Sequence, residues 1–180
     1  MRISVKKGSR KGNWRSFLPW ALSFLWMGMI FWFSAQDAAA SSQLSGRTAF
    51  RSALWFWPGF SSLSPEAQAA WVEGMQFWVR KSAHFLVYAG LGFFLRWGFS
   101  SFSWRPRKKV GWAWLAGTIY AATDEFHQLF VPGRSGQLRD VLLDSVGVLV
   151  GIFVFCALAH LLKKAARYRA TKKIGAKKDA

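Results

Sequence analysis

Asp124, Glu125, His127 and Gln128 stand within five positions, and Arg134, Asp140 and Asp144 follow in the next sixteen. Carboxylates beside a histidine can pass protons or hold a cation. An arginine fork can grip a carboxylate or phosphate through two hydrogen bonds. Half of the chain's eight acidic residues and one of its three histidines gather here. The flanking sequence is strongly apolar, so whatever element carries these groups must hide them from hydrocarbon. On a helix at 100° per residue, Asp124 lies between His127 and Gln128, with Glu125 about 100° away. That polar arc must face other helices or a water-filled pocket, since a charge at mid-bilayer costs roughly 2.5 to 3.5 kcal/mol on insertion scales.

The surrounding elements read as membrane helices. Of 180 residues, 52% are hydrophobic, including 12 Trp and 17 Phe. Four apolar stretches can each cross a core of roughly 30 Å as a helix: Phe17–Ala35, about Lys81–Phe99, Val110–Val131 and about Val141–Leu162. Lipid offers free backbone groups no partner, and strand alternation is absent, so helices are expected. The fold class is therefore all-α, a polytopic membrane protein with four transmembrane helices. Residues 16–162 form the membrane domain. Residues 1–15 form a basic N-terminal segment, and residues 163–180 a basic tail expected to be disordered. The first apolar stretch is longer than a signal-peptide core and is expected to be retained.

The net charge of +17 is compatible with nucleic acid or with an anionic membrane. Its distribution favours the membrane and argues against nucleic acid, because Lys and Arg cluster beside apolar runs. Arg2, Lys6, Lys7, Arg10, Lys11 and Arg15 precede the first span, and Arg105, Arg107, Lys108 and Lys109 join the second to the third. The tail from Lys163 to Lys178 is again basic. Positive-inside then places both termini on the cytoplasmic side of a plasma membrane. The segment 36–80 becomes external. Ser64-Pro65-Glu66 is a helix start with a capping hydroxyl, Pro at the first position and an acid in the first turn. Ala67, Trp71, Met75 and Trp78 recur at helical spacing behind it, so an external interfacial helix is expected between spans one and two.

This orientation sends distant polar residues to one depth. Gln36 ends span one, Lys81 and His84 begin span two, Asp124 to Gln128 end span three, and Asp140 and Asp144 begin span four. Lys81, His84 and Tyr88 share one face of their helix, as do Asp140, Asp144, Gly147 and Gly151. The glycines allow another helix to approach closely. Pro132 and Gly133 provide a stop and a turn that keep Arg134 near the carboxylates. The candidate catalytic residues are His84, Asp124, Glu125, His127 and Asp140; the candidate binding residues are Lys81, Gln128, Arg134, Asp144 and Gln36. The single Cys156 excludes a disulfide framework. No HExxH or Cys-rich spacing is present, so no metal is assigned, and the cofactor is unknown.

The ordered segments FSAQ (33–36), RKSAHFLVY (80–88), DEFHQLFVPGR (124–134) and RDVLLDSVGVLVG (139–151) resemble the VanZ-like family of integral membrane proteins. The match covers the membrane core. The family pattern usually has Asn where this chain has Asp144, which adds an ionisable group here. The resemblance implies the fold and topology above, and a link to resistance against the glycopeptide teicoplanin. The expected partners are the lipid bilayer and a lipid-linked cell-wall precursor, which the pocket would act on or bind. A non-catalytic protein that recognises an anionic headgroup or shields the lipid remains open. A proton-coupled transporter would need polar groups along its whole depth, and the inner halves of the spans show almost none.

Overall fold

The computed structural model describes residues 14–178 in their backbone and residues 16–171 in their side chains. The basic N-terminal segment lies almost wholly outside that range. Five α-helices and one short 3-10 turn make up the described chain, and among the described residues there is no strand. They are α1 (Trp14–Ser34), α2 (Ala38–Phe56), the 3-10 turn (Phe60–Ser62), α3 (Pro65–Phe99), α4 (Pro106–Gln128) and α5 (Leu138–Lys178).

The pairings define a four-helix bundle. Lys81 meets Asp140 and His84 meets Asp144. Further along, Gly147 packs on Phe85 and Gly151 on Ala89. The numbers rise together, so α3 and α5 run parallel. Tyr88 pairs with Asp124, while Lys109 near the start of α4 reaches Ser100 just past the end of α3, so α4 runs antiparallel to α3. In α1, Trp26 donates to the Val87 carbonyl at 2.8 Å, and Trp20 packs edge-on against Phe99. That makes α1 antiparallel to α3 and parallel to α4. The start of α1 and the C-terminal run of α5 therefore lie at the same end of the bundle.

Glycine makes the α3–α5 seam possible. A Cβ on Gly147 would sit 2.6 Å from the Phe85 carbonyl oxygen. A Cβ on Gly151 would collide with the Ala89 carbonyl, and one on Gly92 with the Val148 carbonyl. Backbone thus lies on backbone, as small residues permit in closely packed helices. Tyr88, Leu91, Val148 and Ile152 fill the core beside it and are fully buried.

Two helices are long and apolar enough to cross a membrane on that criterion alone, over Ser16–Ser34 and Leu138–Thr171. The second and third expected spans fall short of it. The beginning of α4 carries Arg107, Lys108 and Lys109 and its end carries Asp124 and Glu125. Helix α3 also departs from expectation. Its start is the expected one, with the Ser64 hydroxyl capping the Ala67 N–H and Pro65 leading. No break separates an interfacial helix from the span; one helix of 35 residues runs for roughly 52 Å. The Trp71 face is used for packing, against Phe60 and Trp57.

Helix α2 has no counterpart among the expected elements. Asp37 caps it, its Oδ1 accepting from the Ala40 N–H at 2.7 Å, and it lies antiparallel along the first half of α3. Gly46 packs by Gln76, and Phe50 contacts Phe60, which in turn contacts Trp71. The tail, expected to be disordered, is helical instead, since α5 continues to Lys178. Ala, Lys and Arg dominate residues 163–178, and these are strong helix formers. Pro19 lies inside α1.

Candidate functional site

The polar residues of four helices meet at the end of the bundle where α1 and α4 finish and where α5 begins. Lys81 on α3 forms an ion pair with Asp140 in the first turn of α5. One turn deeper, His84 Nδ1 faces Asp144 Oδ2 at 3.8 Å. One turn deeper again, the Tyr88 hydroxyl donates to Asp124 Oδ2 at 3.1 Å. The same oxygen takes a second contact from Gln128 Nε2 at 3.4 Å. A single face of α3 thus presents Lys81, His84 and Tyr88 to three carboxylates on two other helices, because positions 81, 84 and 88 are spaced three and four apart.

The turn after α4 closes this end. Gly133 adopts a φ of 71°, the left-handed region that glycine enters freely. Any Cβ there would sit 2.9 Å from the Ala38 Cβ. The turn is pinned to the start of α2 by the Ala38 N–H, which donates to the Pro132 carbonyl at 3.2 Å. Arg134 Nε donates to the Gln36 carbonyl, also at 3.2 Å. Glu125 Oε2 accepts from the Gln137 N–H at 2.9 Å just ahead of α5. Sequence positions about a hundred residues apart are joined here, and Arg134 is held half-buried at the junction.

Two cavities share this end. A polar chamber of about 200 Å³ is lined by Lys81, Gln128, Ser135, Gln137, Asp140 and Asp144. A second cavity of about 270 Å³ lies between α1 and α2 over α3, with Ile30, Phe33, Leu44, Val79 and Val87 on its walls. Arg80, His84 and Arg134 line both. They form the partition between an apolar space and a polar one.

The electrostatics of that partition are unusual. Among the described residues the ion pair is Lys81–Asp140, and His84 faces Asp144 as a charge pair only when its imidazole is protonated. Neither Arg80 nor Arg134 has one. Arg80 Nη2 donates to the Ser42 hydroxyl at 3.0 Å, and its Nε is buried without a partner. Burial, followed by the positive charge of Arg80, holds the Arg134 pKa below its usual value. Two half-buried guanidiniums are thus held near each other with neutral oxygens as their hydrogen-bond partners, and the more distant charges of Asp124, Glu125 and Asp37 offset the repulsion only in part. An anion between them would relieve both the repulsion and the lost hydration.

The carboxylates are also under-satisfied. Asp124, Glu125 and Asp144 are each at most 4% exposed. Asp124 Oδ1, Glu125 Oε1 and both Asp144 oxygens lack hydrogen-bond partners. Such groups are costly to bury unpaired.

The structure gathers most of the expected site residues. Lys81, His84, Gln128, Arg134, Asp140 and Asp144 share the polar chamber, and Gln36 and Asp124 line the neighbouring cavity. His127 and Glu125 line neither. The His127 ring packs on Phe31 at 4.6 Å in the α1–α4 seam, with Nε2 buried and unpartnered. Glu125 holds the Gln137 backbone. No group of three His, Cys, Asp or Glu side chains able to hold a metal occurs among the described residues.

Arg80, Tyr88 and Ser42 join the site without being among its expected residues. Tyr88 and Arg80 have a legible signal, since each is four positions from His84 on the same helical face. Ser42 has none, because it depends on where α2 docks.

The model of the VanZ/LLP1 family matches residues 19–161, which include the whole of this site. The chain belongs to the VanZ/LLP1 family. Comparison with curated proteins and with solved structures finds no match. The family segment runs from Pro19 in α1 to Leu161 in α5, so the residues of the partition between the two cavities lie within it.

Proposed function

We propose that this VanZ/LLP1 protein spans the bacterial plasma membrane four times, with both termini cytoplasmic, and recognises the anionic headgroup of a lipid-linked cell-envelope precursor at the outer face. Several features support the topology. The second half of α3 lies backbone to backbone along the apolar α5, and α4 packs against both, so the weaker spans share the depth of the stronger one. At the end opposite the site, Trp20, Phe99, Phe102 and Trp104 pack together next to the basic run Arg105–Lys109. Aromatic belts and positive-inside clusters have this composition.

The observation that carries the headgroup reading is the Arg80–Arg134 pair, half-buried beside a cavity and without a carboxylate partner among the described residues. A phosphate accepts hydrogen bonds from both guanidiniums at once. Lys81 adds a cation at the rim. Binding of an anionic precursor to the purified protein in nanodiscs tests the reading. Arg80→Gln and Arg134→Gln each should weaken it by about tenfold or more, equivalent to roughly 1.4 kcal/mol or more. Unchanged affinity in both variants rejects the reading.

A second reading adds proton transfer. His84 lines the polar chamber, and Asp144 faces its Nδ1. A carboxylate that closes this gap to hydrogen-bonding distance would orient the imidazole and fix its tautomer. Comparison of outer-leaflet lipid masses with and without the protein decides between binding and conversion. A mass change that disappears in His84→Ala supports conversion; unaltered lipids leave recognition alone. Either activity would change the exposure of a precursor to teicoplanin. A several-fold fall in teicoplanin tolerance on deletion is the expected outcome.

A further inference from the structure

The apolar cavity has no role in headgroup recognition, yet it opens onto the same two arginines. Its walls come from the last turn of α1, from one face of α2 and from α3 beneath them. Ile30, Val79 and Val87 form the apolar depth, and Phe33, Leu44, Thr48 and Ala83 form an exposed rim. α1 and α2 are separated here by the groove itself, although only residues 35–37 connect them. The rim therefore faces sideways, along the flank of the bundle. Toward the partition, polar groups take over: Ser34 Oγ is buried without a partner, and Asp124 lies beyond it with one oxygen unpartnered.

An apolar trough that ends at two guanidiniums matches an amphiphile. Resting on the headgroup reading above, we infer that the α1–α2–α3 groove takes the first part of a single hydrocarbon chain, and that the ligand is a one-chain lipid phosphate entering laterally from the outer leaflet. The phosphate lies at Arg80 and Arg134, and any sugar or peptide extension occupies the polar chamber behind them. Volume favours one chain. The groove holds about 270 Å³, so it accommodates a chain segment and leaves the remainder in lipid. Energetics favour it too, because each methylene removed from water contributes roughly 0.8 kcal/mol. A chain that stays in apolar surroundings while its head reaches the arginines need not be lifted into water. α2 acquires a purpose in this arrangement: it is the wall that converts a cleft between α1 and α3 into a groove.

The test uses the full chain in nanodiscs with three probes: a long-chain prenyl monophosphate, a two-chain phosphatidic acid and inorganic phosphate. Wild-type protein should bind the prenyl phosphate at least tenfold more tightly than either of the others. Thr48→Trp and Ala83→Phe fill the groove from opposite walls, and both positions are exposed, so the bundle tolerates them. Each should lower the ratio of prenyl phosphate to inorganic phosphate affinity by tenfold or more. A ratio that stays at the wild-type value in both variants overturns the inference. Equal binding of phosphatidic acid overturns the one-chain assignment. Phosphate affinities that stay at wild-type values in both Arg80→Gln and Arg134→Gln would instead sink the headgroup reading, so the two failures are distinguishable.

Discussion

The two ends of the bundle bury very different numbers of polar groups. At the aromatic end, Trp20, Phe99, Phe102 and Trp104 pack against one another, and the buried ion is Arg96, 9% exposed, placed over the Phe155 ring at 5.3 Å and with its own Nε and Nη1 unpartnered. At the polar end, three buried carboxylates, a histidine and two arginines are brought together with many of their atoms unpartnered. The middle seam of glycines on backbone serves both. The contrast is one of density: one buried ion at the aromatic end lies over a ring, whereas several unpartnered charged groups converge on cavities at the polar end, and unsatisfied buried polar groups persist only where the rest of the fold sustains them.

That contrast can be broken at its support first. Gly151→Leu forces a side chain into the Ala89 carbonyl, and overpacking against backbone should cost about 3 kcal/mol or more. Thermal unfolding in detergent should show a larger loss than any of the substitutions below, with ligand binding lost alongside. If Gly151→Leu unfolds like the wild type, the seam does not carry the bundle.

Asp144→Asn reverses the direction. It removes a buried charge whose oxygens accept no hydrogen bond and whose facing imidazole nitrogen is 3.8 Å away, so where that imidazole is neutral the fold should gain roughly 1 to 3 kcal/mol, read as a higher unfolding temperature. Any proton transfer through His84 should fall at the same time. A destabilised Asp144→Asn would mean that the carboxylate is satisfied and that the polar end is not strained there.

Lys81→Met is milder. The Lys81–Asp140 pair is partly open to solvent, its side chains being 24% and 19% exposed, so its loss should cost about 1 kcal/mol or less. The cost should shrink with added salt.

The smallest effect lies far from both ends, at the start of α3. Glu66 has its pKa lowered by its own backbone N–H and then by the Ser64 hydroxyl. A depressed folded pKa contributes stability above the unfolded value and loses it as pH falls through the folded one. Protection factors of the hydrogen-bonded amides at the start of α3, corrected for the intrinsic pH dependence of exchange, should therefore fall below about pH 4.5, and Glu66→Gln should flatten that dependence.

Local rules make much of this molecule legible in its sequence. Ser64-Pro65-Glu66 locates the start of α3 because capping depends on a few adjacent residues. Spacing puts Lys81, His84 and Tyr88 on one face, and the paired glycines of α5 on another. The motif pattern identifies the family from segments that cover the site. Local rules also fail in a consistent way. The polar stretch 36–56 reads as a connector because its propensity for helix is ordinary, and α2 is held by packing on α3. The basic tail reads as disordered because no partner for it is visible, while its residues are individually good helix formers. His127 reads as a site residue because it is close to Asp124 in sequence.

What the sequence determined by itself was periodicity, caps and the sorting of charge from hydrocarbon, since each is set within a few turns of helix. Only tertiary structure decided which polar groups meet. Arg80 and Arg134 are far apart in the chain, and their adjacency follows from the Pro132–Gly133 turn docking on the start of α2. His127 was turned into the α1–α4 seam by Phe31, and Asp144 was turned toward His84 by the close α3–α5 approach. Those outcomes depend on how whole helices pack, where one glycine against one carbonyl sets the rotation of a face, and no local pattern encodes that rotation.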